Sequence, residues 1–472
     1  PYVNAEPHVG HAMEFIRADA IARYKKIQGF DVFINTGTDE HGLKVYRNAS
    51  LNNIPVQQYV DMHAENFKKL LPLIGFSPEA HFSRTTDKNH IYSAQEFWKR
   101  CNKNGYIYKK NYKIKYCVGC ELEKTESELV EGKCSIHPSL AIEEIDEENY
   151  FFAFSKFQEK LLKMYESNPG FIIPESRFNE TKSFVKGGLE DFSISRLKSK
   201  MPWGVPVPDD DNHVMYVWFD ALVNYISCIG WPDNEDSFKK WWIDTGGVVQ
   251  YCGKDNNRQQ SAMWQAMLMG AGLPNSKQII INGFITGEGG LKMSKTLGNV
   301  VNPIEVINEY GTDALRYFML REINPFEDSP FTMDKFKEAY NAHLANGLGN
   351  LVSRVMKMVV DNGIKIEYKN IDIRLESDYE KYIQSFDLFE INKACDIVWN
   401  IVQKADKRIQ IEQPFKLIKT EKEKGEKVIK ELGIELYKIA ILLQPLLPST
   451  SDKIKDIVEN TKMPESPLFI RK

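Results

Sequence analysis

The chain has no run of about 18 apolar residues, the length a helix needs to cross a bilayer, so no spanning helix is expected. It shows no signal peptide, which removes the usual mark of a secreted protein. Neither sign of charge dominates: 61 Lys and Arg stand against 65 Asp and Glu, a net charge of −4. That balance does not announce a nucleic-acid binder, although a large protein can hold a basic face on an acidic body. Cysteine is scarce and odd in number, seven in 472 residues. A secreted disulfide framework is therefore excluded, and a reduced, cytoplasmic setting with one metal site is expected. No internal repeat or low-complexity tract stands out, and no Ser/His/Asp or Cys/His grouping suggests a protein nucleophile. The first residue is Pro1 rather than Met, already inside a motif, so upstream residues are expected.

What remains is ordinary globular material, 42% hydrophobic and 27% charged. Its length predicts two to four domains. At the start, "PYVNAEPHVGH" has turn punctuation and leads into a helix with Phe15, Ala18 and Ala22 on one face, closed by Gly29. "DVFINTG" follows as a buried strand candidate, with "GTDEHG" as the loop after it. Strand, loop and helix alternation predicts an α/β domain with a parallel sheet, which binds ligands at the carboxyl ends of its strands. From about Asn104 the texture turns short-stranded and cysteine-bearing, as in an insertion. "MYVWFDALVNYI" and "QIIINGFIT" return to sheet-like and core-like texture. Beyond "KMSKTLGNVVNPIEVI" apolar residues recur at helical spacing, at Leu344, Leu348, Leu351, Val352 and Val355 and again at Leu388, Ile391, Ala394 and Val398. A helix bundle is expected there, with the charged run 419–430 as a solvated helix or linker.

Three groups of residues carry chemistry. His8 and His11 flank Gly10 at a helix start, where backbone N–H groups and the helix dipole favour anions and a glycine permits close approach. Lys292 and Lys295 lie in "EGGLKMSKTLGN", a glycine-led loop suited to bringing point charges to phosphates. Phosphoryl and nucleotidyl transfer ask a protein mainly for positioning and charge. Cys117, Cys120, Cys134 and His137 have the spacing C-x2-C-x13-C-x2-H, which suits a closed, structural tetrahedral zinc site. The other cysteines, Cys101, Cys228, Cys252 and Cys395, lack partners at metal spacing and are expected to be packed thiols.

"HVGH" near the start and "KMSKT" after an inserted segment resemble the two signatures of class I aminoacyl-tRNA synthetases. "GTDEHG", "DFSISR", "YVWFDAL" and "GKD" resemble the methionyl-tRNA synthetase family in its single-knuckle form. The resemblance runs from Pro1 to the closing "PLFIRK". It implies a Rossmann-like parallel-sheet catalytic domain with an inserted zinc-binding connective domain, followed by an all-α anticodon-binding bundle. The expected boundaries are 1–104 and 214–286 for the two catalytic halves, 105–213 for the insert, 287–340 for the lysine loop and stem-contact region, and 341–472 for the bundle.

The implied substrates are ATP with Mg2+, L-methionine and tRNA(Met), including the initiator. His8, His11, Lys292 and Lys295 would be catalytic. Gly10, Glu14, Gly253, Lys254, Asp255 and Lys295 would bind ATP, with Asp255 at the ribose. Asp39 would hold the α-amino group of methionine, and Tyr2, Trp218, Ala221 and Tyr225 would line its side-chain pocket. By composition alone, an aromatic stripe of that kind is more often core. The chain departs from the family at Gln259 and Gln260, where an aromatic and a histidine are usual. Gln260 still offers an amide donor to a thioether sulfur. Asn350, Arg354 and Phe415 would read the anticodon, with Phe415 in place of the family's Trp. The insert is too short for a large editing domain. A monomer with no membrane attachment is expected. Two other readings remain: a class I enzyme for leucine or cysteine, and a non-catalytic zinc-knuckle RNA binder.

Overall fold

The computed structural model of the chain describes every residue except 5, 121, 125–127, 292, 294–300 and 370. Lys292 and Lys295 therefore lie outside the described residues. The chain forms two compact units, one of Pro1–Pro7, Asn35–Lys69 and Glu79–Ile281, the other of His8–Ile34, Leu70–Pro78 and Asn282–Lys472. No described helix is long and apolar enough to cross a membrane.

The first unit holds parallel strand pairs. Asn35–Thr38 runs beside His81–Arg84, with Gly37 opposite Ser83. A Cβ on Gly37 would sit 1.9 Å from the Ser83 carbonyl oxygen, so this close approach requires glycine. Gln278–Asn282 pairs in parallel with Ile172–Ile173. The strand expected at "DVFINTG" is shorter than its apolar run suggests. It begins at Asn35, and Phe33 upstream is 38% exposed. Residues 31–34 have no strand partner among the described residues, so apolarity alone does not make them a strand.

The insert is built on long antiparallel arms. Ile107–Cys117 pairs with Glu143–Phe152 from Ile107↔Phe152 to Tyr116↔Glu143. Lysines on one arm face acids on the other, Lys113 opposite Asp146 and Lys115 opposite Glu144. Opposite charges across a ladder favour this register over a slip. The inner ends of the arms enter an aromatic core in which Phe97, Trp98, Phe152, Phe219 and Trp264 are almost fully buried.

In the second unit, buried charges fasten the helix Val9–Ile27. Arg17 is 1% exposed and donates to Asn282 Oδ1 at 3.0 Å and to the carbonyls of Ile323 and Pro325 at 2.9 and 3.2 Å. Asp19 pairs with Arg316 at 2.9 Å and Arg23 at 2.7 Å, and accepts from the Ser77 backbone and hydroxyl. Ions this buried persist only when each lone pair and proton finds a partner. The C-terminal part is helical as expected, with Asn350–Asp361, Ile391–Glu412, Lys422–Leu443 and Pro448–Glu459 as its main members. Leu388 departs from expectation. It follows the helix Tyr379–Asp387 and is 47% exposed, because the next helix starts only at Ile391. The charged run enters the helix Lys422–Leu443, which buries Val428 and Ile429.

Candidate active site and metal centre

His8 is the N-cap of the helix Val9–Ile27 and His11 its third residue. The two form a reciprocal cap. Gly10 N–H donates to His8 Nδ1 at 3.1 Å, and His8 N–H donates to His11 Nδ1 at 3.3 Å. The rings stack with centroids 3.9 Å apart. Because each Nδ1 accepts, each neutral ring carries its proton on Nε2. Gly10 leaves room beside the helix N-terminus for a ligand. The structure adds a second reason, since a Cβ there would meet the His8 ring at 2.9 Å. Desolvation lowers the pKa of His8. Desolvation, and then repulsion from His8, lower that of His11 well below 6.5. The pair is thus held neutral, as two N–H donors beside a helix N-terminus. Glu14, one turn on, is half-buried on the same helix.

Asp39 lies at the carboxyl end of the strand Asn35–Thr38. Its backbone forms a parallel bridge with Tyr2, donating to Pro1 O at 2.8 Å and accepting from Val3 N–H at 3.1 Å. Its neighbours are clamped. Glu40 is fully buried, meets Arg84 through two bonds of 2.7 and 2.9 Å, and accepts from Thr38 and Thr86 hydroxyls. Trp203 Nε1 donates to the Glu40 carbonyl at 2.7 Å. His41 reaches a buried carboxylate, Asp220, at 2.6 Å. The Asp39 carboxylate therefore takes its position from a rigid segment.

Asp220 belongs to the short helix Val217–Ala221, which also carries Trp218 and Ala221. Trp218 and Tyr225 are partly buried against the aromatic core, and Ala221 is buried. The Trp218 indole N–H is buried with no hydrogen-bond partner among the described residues. Gln260 is held from behind: Gln250 Nε2 donates to its Oε1 at 2.8 Å, and its Nε2 donates to Tyr225 OH at 2.9 Å. Gln259 is buried beside it on the same helical turn. Gly253, Lys254 and Asp255 form the turn that ends the strand Val249–Gly253, with Asp255 exposed.

The knuckle residues come together as their spacing predicts. The ligand atoms of Cys117, Cys120, Cys134 and His137 all lie within 4.8 Å of one another. Cys120 Sγ is 3.5 Å from Cys134 Sγ and 3.2 Å from His137 Nδ1. Zinc–sulfur bonds of about 2.3 Å in a tetrahedron give sulfur–sulfur edges of about 3.8 Å. The donor set therefore could hold a zinc ion. Gly119 makes this closure possible, since a Cβ there would fall 2.6 Å from the His137 ring. Burial, and then Cys134, push the Cys120 thiol up to about 12. Metal uptake must displace such protons, so affinity falls with acidification. Cys134→Ser is expected to abolish metal content, measured by elemental analysis. Proteolysis within residues 118–136 should then rise about tenfold.

The family model described as "tRNA synthetases class I (M)" matches residues 1–139 and 120–356. The chain belongs to the class I tRNA synthetases of this methionine branch. A methionine–tRNA ligase of a Nostoc species is 40% identical over 96% of this chain and 87% of that protein. One from Thermotoga maritima is 38% identical over 96% and 73%. Among solved structures, Mycobacterium tuberculosis methionyl-tRNA synthetase in complex with methionyl-adenylate superposes with a TM-score of 0.90 at 36% identity, covering 97% of this chain and 92% of that one.

In this class I synthetase the three residues that the resemblance implies for the anticodon are all on helices. Asn350 opens the helix Asn350–Asp361 and is exposed, and Arg354 one turn on is paired with Asp406. Phe415 is 44% exposed on the helix Pro414–Thr420, so its ring stands outside the core of the bundle. The sequence reading passed over Glu40, His41, Arg84, His90 and Asp220. Three of them sit inside the motifs "GTDEHG" and "YVWFDAL", which was the available signal. His90 and Arg84 carry none of their own.

Proposed function

We propose that the chain is a methionine–tRNA ligase. It joins L-methionine to ATP as methionyl-adenylate and then transfers methionine to the 3′ end of tRNA(Met), the initiator included. The observation that carries this reading is the likeness to a synthetase structure that holds methionyl-adenylate, over almost the whole of both chains.

In this reading the methionine carboxylate attacks the α-phosphate in line, and magnesium pyrophosphate leaves. The Nε2–H groups of His8 and His11 stabilise charge on the α-phosphate side. Lys295, assisted by Lys292, stabilises the departing pyrophosphate. Glu14, Gly253 and Lys254 contact ATP, and Asp255 binds its ribose. Asp39 pairs with the methionine ammonium. Tyr2, Trp218, Ala221 and Tyr225 enclose the side chain, and Gln260 reaches the thioether end through Tyr225. Zinc holds the knuckle in shape. Asn350, Arg354 and Phe415 read unpaired anticodon bases by edge hydrogen bonds and stacking.

The test is amino-acid-dependent exchange of labelled pyrophosphate into ATP, run across all twenty amino acids. Exchange with methionine alone is expected, which makes Gln260 a tolerated pocket residue. Exchange with leucine or cysteine instead would overturn the substrate and keep the reaction. No exchange by a folded, zinc-loaded protein would overturn the reaction.

A further inference from the structure

Asp220 sits at the centre of a buried polar network. Its side chain is fully buried, and its two oxygens serve different elements. Oδ2 lies 2.6 Å from His41 Nδ1, two residues beyond Asp39. Oδ1 lies 2.8 Å from His90 Nε2, on the helix Lys88–Lys103. His90 Nδ1 in turn is 3.0 Å from Ser227 Oγ, on the helix Asn224–Ser227 that also bears Tyr225. One carboxylate thus ties the ammonium anchor, a core helix and both short helices of the side-chain pocket.

A carboxylate taken out of water costs several kcal/mol unless charge and hydrogen bonds offset it. Here they do. Burial alone would raise its pKa, but His41 and then His90 hold the carboxyl down to about 2. The group therefore stays ionised at neutral pH, and both imidazoles present an N–H to it. An apolar trio of the same volume would fill this space with less demand on its neighbours. What apolar packing lacks is direction: two short bonds at fixed angles set where the segment Thr38–His41 stands relative to the helix Val217–Ala221.

We propose that Asp220, acting through His41 and His90, is a positioning residue for the ammonium group of the substrate. It sets the distance between the Asp39 carboxylate and the pocket that Trp218, Ala221 and Tyr225 line. This rests on the proposed methionine activation and adds the part that recognises the amino group. The consequence is selective. Loosening the network moves Asp39 away from the ammonium while the apolar pocket keeps its grip on the thioether arm. Affinity for methionine falls, and affinity for a methionine analogue without the amino group (methylthiobutanoate) does not.

Calorimetric titration of the full chain with both ligands tests this. In His41→Leu and His90→Leu, methionine binding is expected to weaken about tenfold or more, with analogue binding changed less than about twofold. His41→Asn places an amide N–H where His Nδ1 stands, and His90→Gln does so for Nε2. Both are expected to bind methionine within about threefold of the unaltered chain. Equal weakening of both ligands in the leucine variants, or failure of the amide variants to restore selectivity, would overturn the positioning role. Where the leucine variants do not fold, judged by circular dichroism, Ser227→Ala carries the test. It removes only the outermost bond, and a selective loss of about threefold supports the role, while no selectivity overturns it. An unaltered chain that binds no methionine would instead overturn the functional reading itself, and the role with it.

Discussion

His11→Ala is expected to slow methionine-dependent pyrophosphate exchange by about two to three orders of magnitude, with methionine binding retained. That is the usual cost of deleting one preorganised donor to a developing anion. The expectation follows from the cap geometry. His11 Nδ1 is engaged by the His8 backbone, so the ring is pinned and its Nε2–H has a set direction. Alanine removes the donor and the pin together. His11→Asn keeps a short polar side chain but cannot extend a donor as far as Nε2, and it should recover little. His11→Gln reaches further and should recover part of the rate. The pH dependence has a definite sign. Both histidines have folded pKa values below their ordinary 6.5. Their contribution to stability is fully present above about 6.5 and is lost as pH falls through the depressed folded values. Protonating Nδ1 also turns an acceptor into a donor and breaks the cap. Exchange activity should therefore hold down to a lower pH than an unperturbed imidazole would allow, then fall together with helix protection in amide exchange.

The parts that were legible in the sequence are those whose partners are close in sequence or carry a fixed spacing. The histidine pair at the helix start spans three residues, and the knuckle repeats a two-residue gap on either side of a loop. The bundle helices show their apolar stripe directly, as in Leu344 to Val355. Leu388 misled because a periodic spacing ran across a helix end, where the backbone turns and the face is lost. "DVFINTG" misled because an apolar run says nothing about whether a strand partner exists. The buried network around Asp220 was hidden for a different reason. His41 and His90 stand 179 and 130 residues away from it in sequence, so no local pattern joins them. The same holds for Glu40 and Arg84, and for Asp19 and Arg316, where pairing is decided by tertiary folding alone. In each case nothing in the local sequence marks the partner, and only the fold names it.

Asp39→Asn is expected to weaken methionine binding by about 2–5 kcal/mol, the cost of removing one member of a desolvated charge pair. In exchange kinetics this is a rise in KM for methionine of at least about thirtyfold, with KM for ATP unchanged. Asparagine is nearly the same shape as aspartate. The backbone of residue 39 is fixed by the bridge to Tyr2, and its neighbours Glu40 and His41 are fixed by Arg84 and Asp220. The substitution should therefore leave the segment in place and remove only the charge. Asp39→Glu provides the complementary control. It keeps the charge but pushes it one methylene further into a segment that cannot retreat, so it should also lose affinity. A flexible anchor would tolerate Glu, and a rigid one would not. If Asp39→Glu binds methionine as well as the unaltered chain does, the segment is not rigid, and the account of Glu40 and His41 as its clamps fails. If Asp39→Asn binds methionine normally, the ammonium is held elsewhere. The loss in Asp39→Asn should vanish with the analogue that lacks the amino group, as in the variants of the Asp220 network. A double variant of Asp39→Asn with His41→Leu should then weaken methionine no further than Asp39→Asn alone, because both act on one contact.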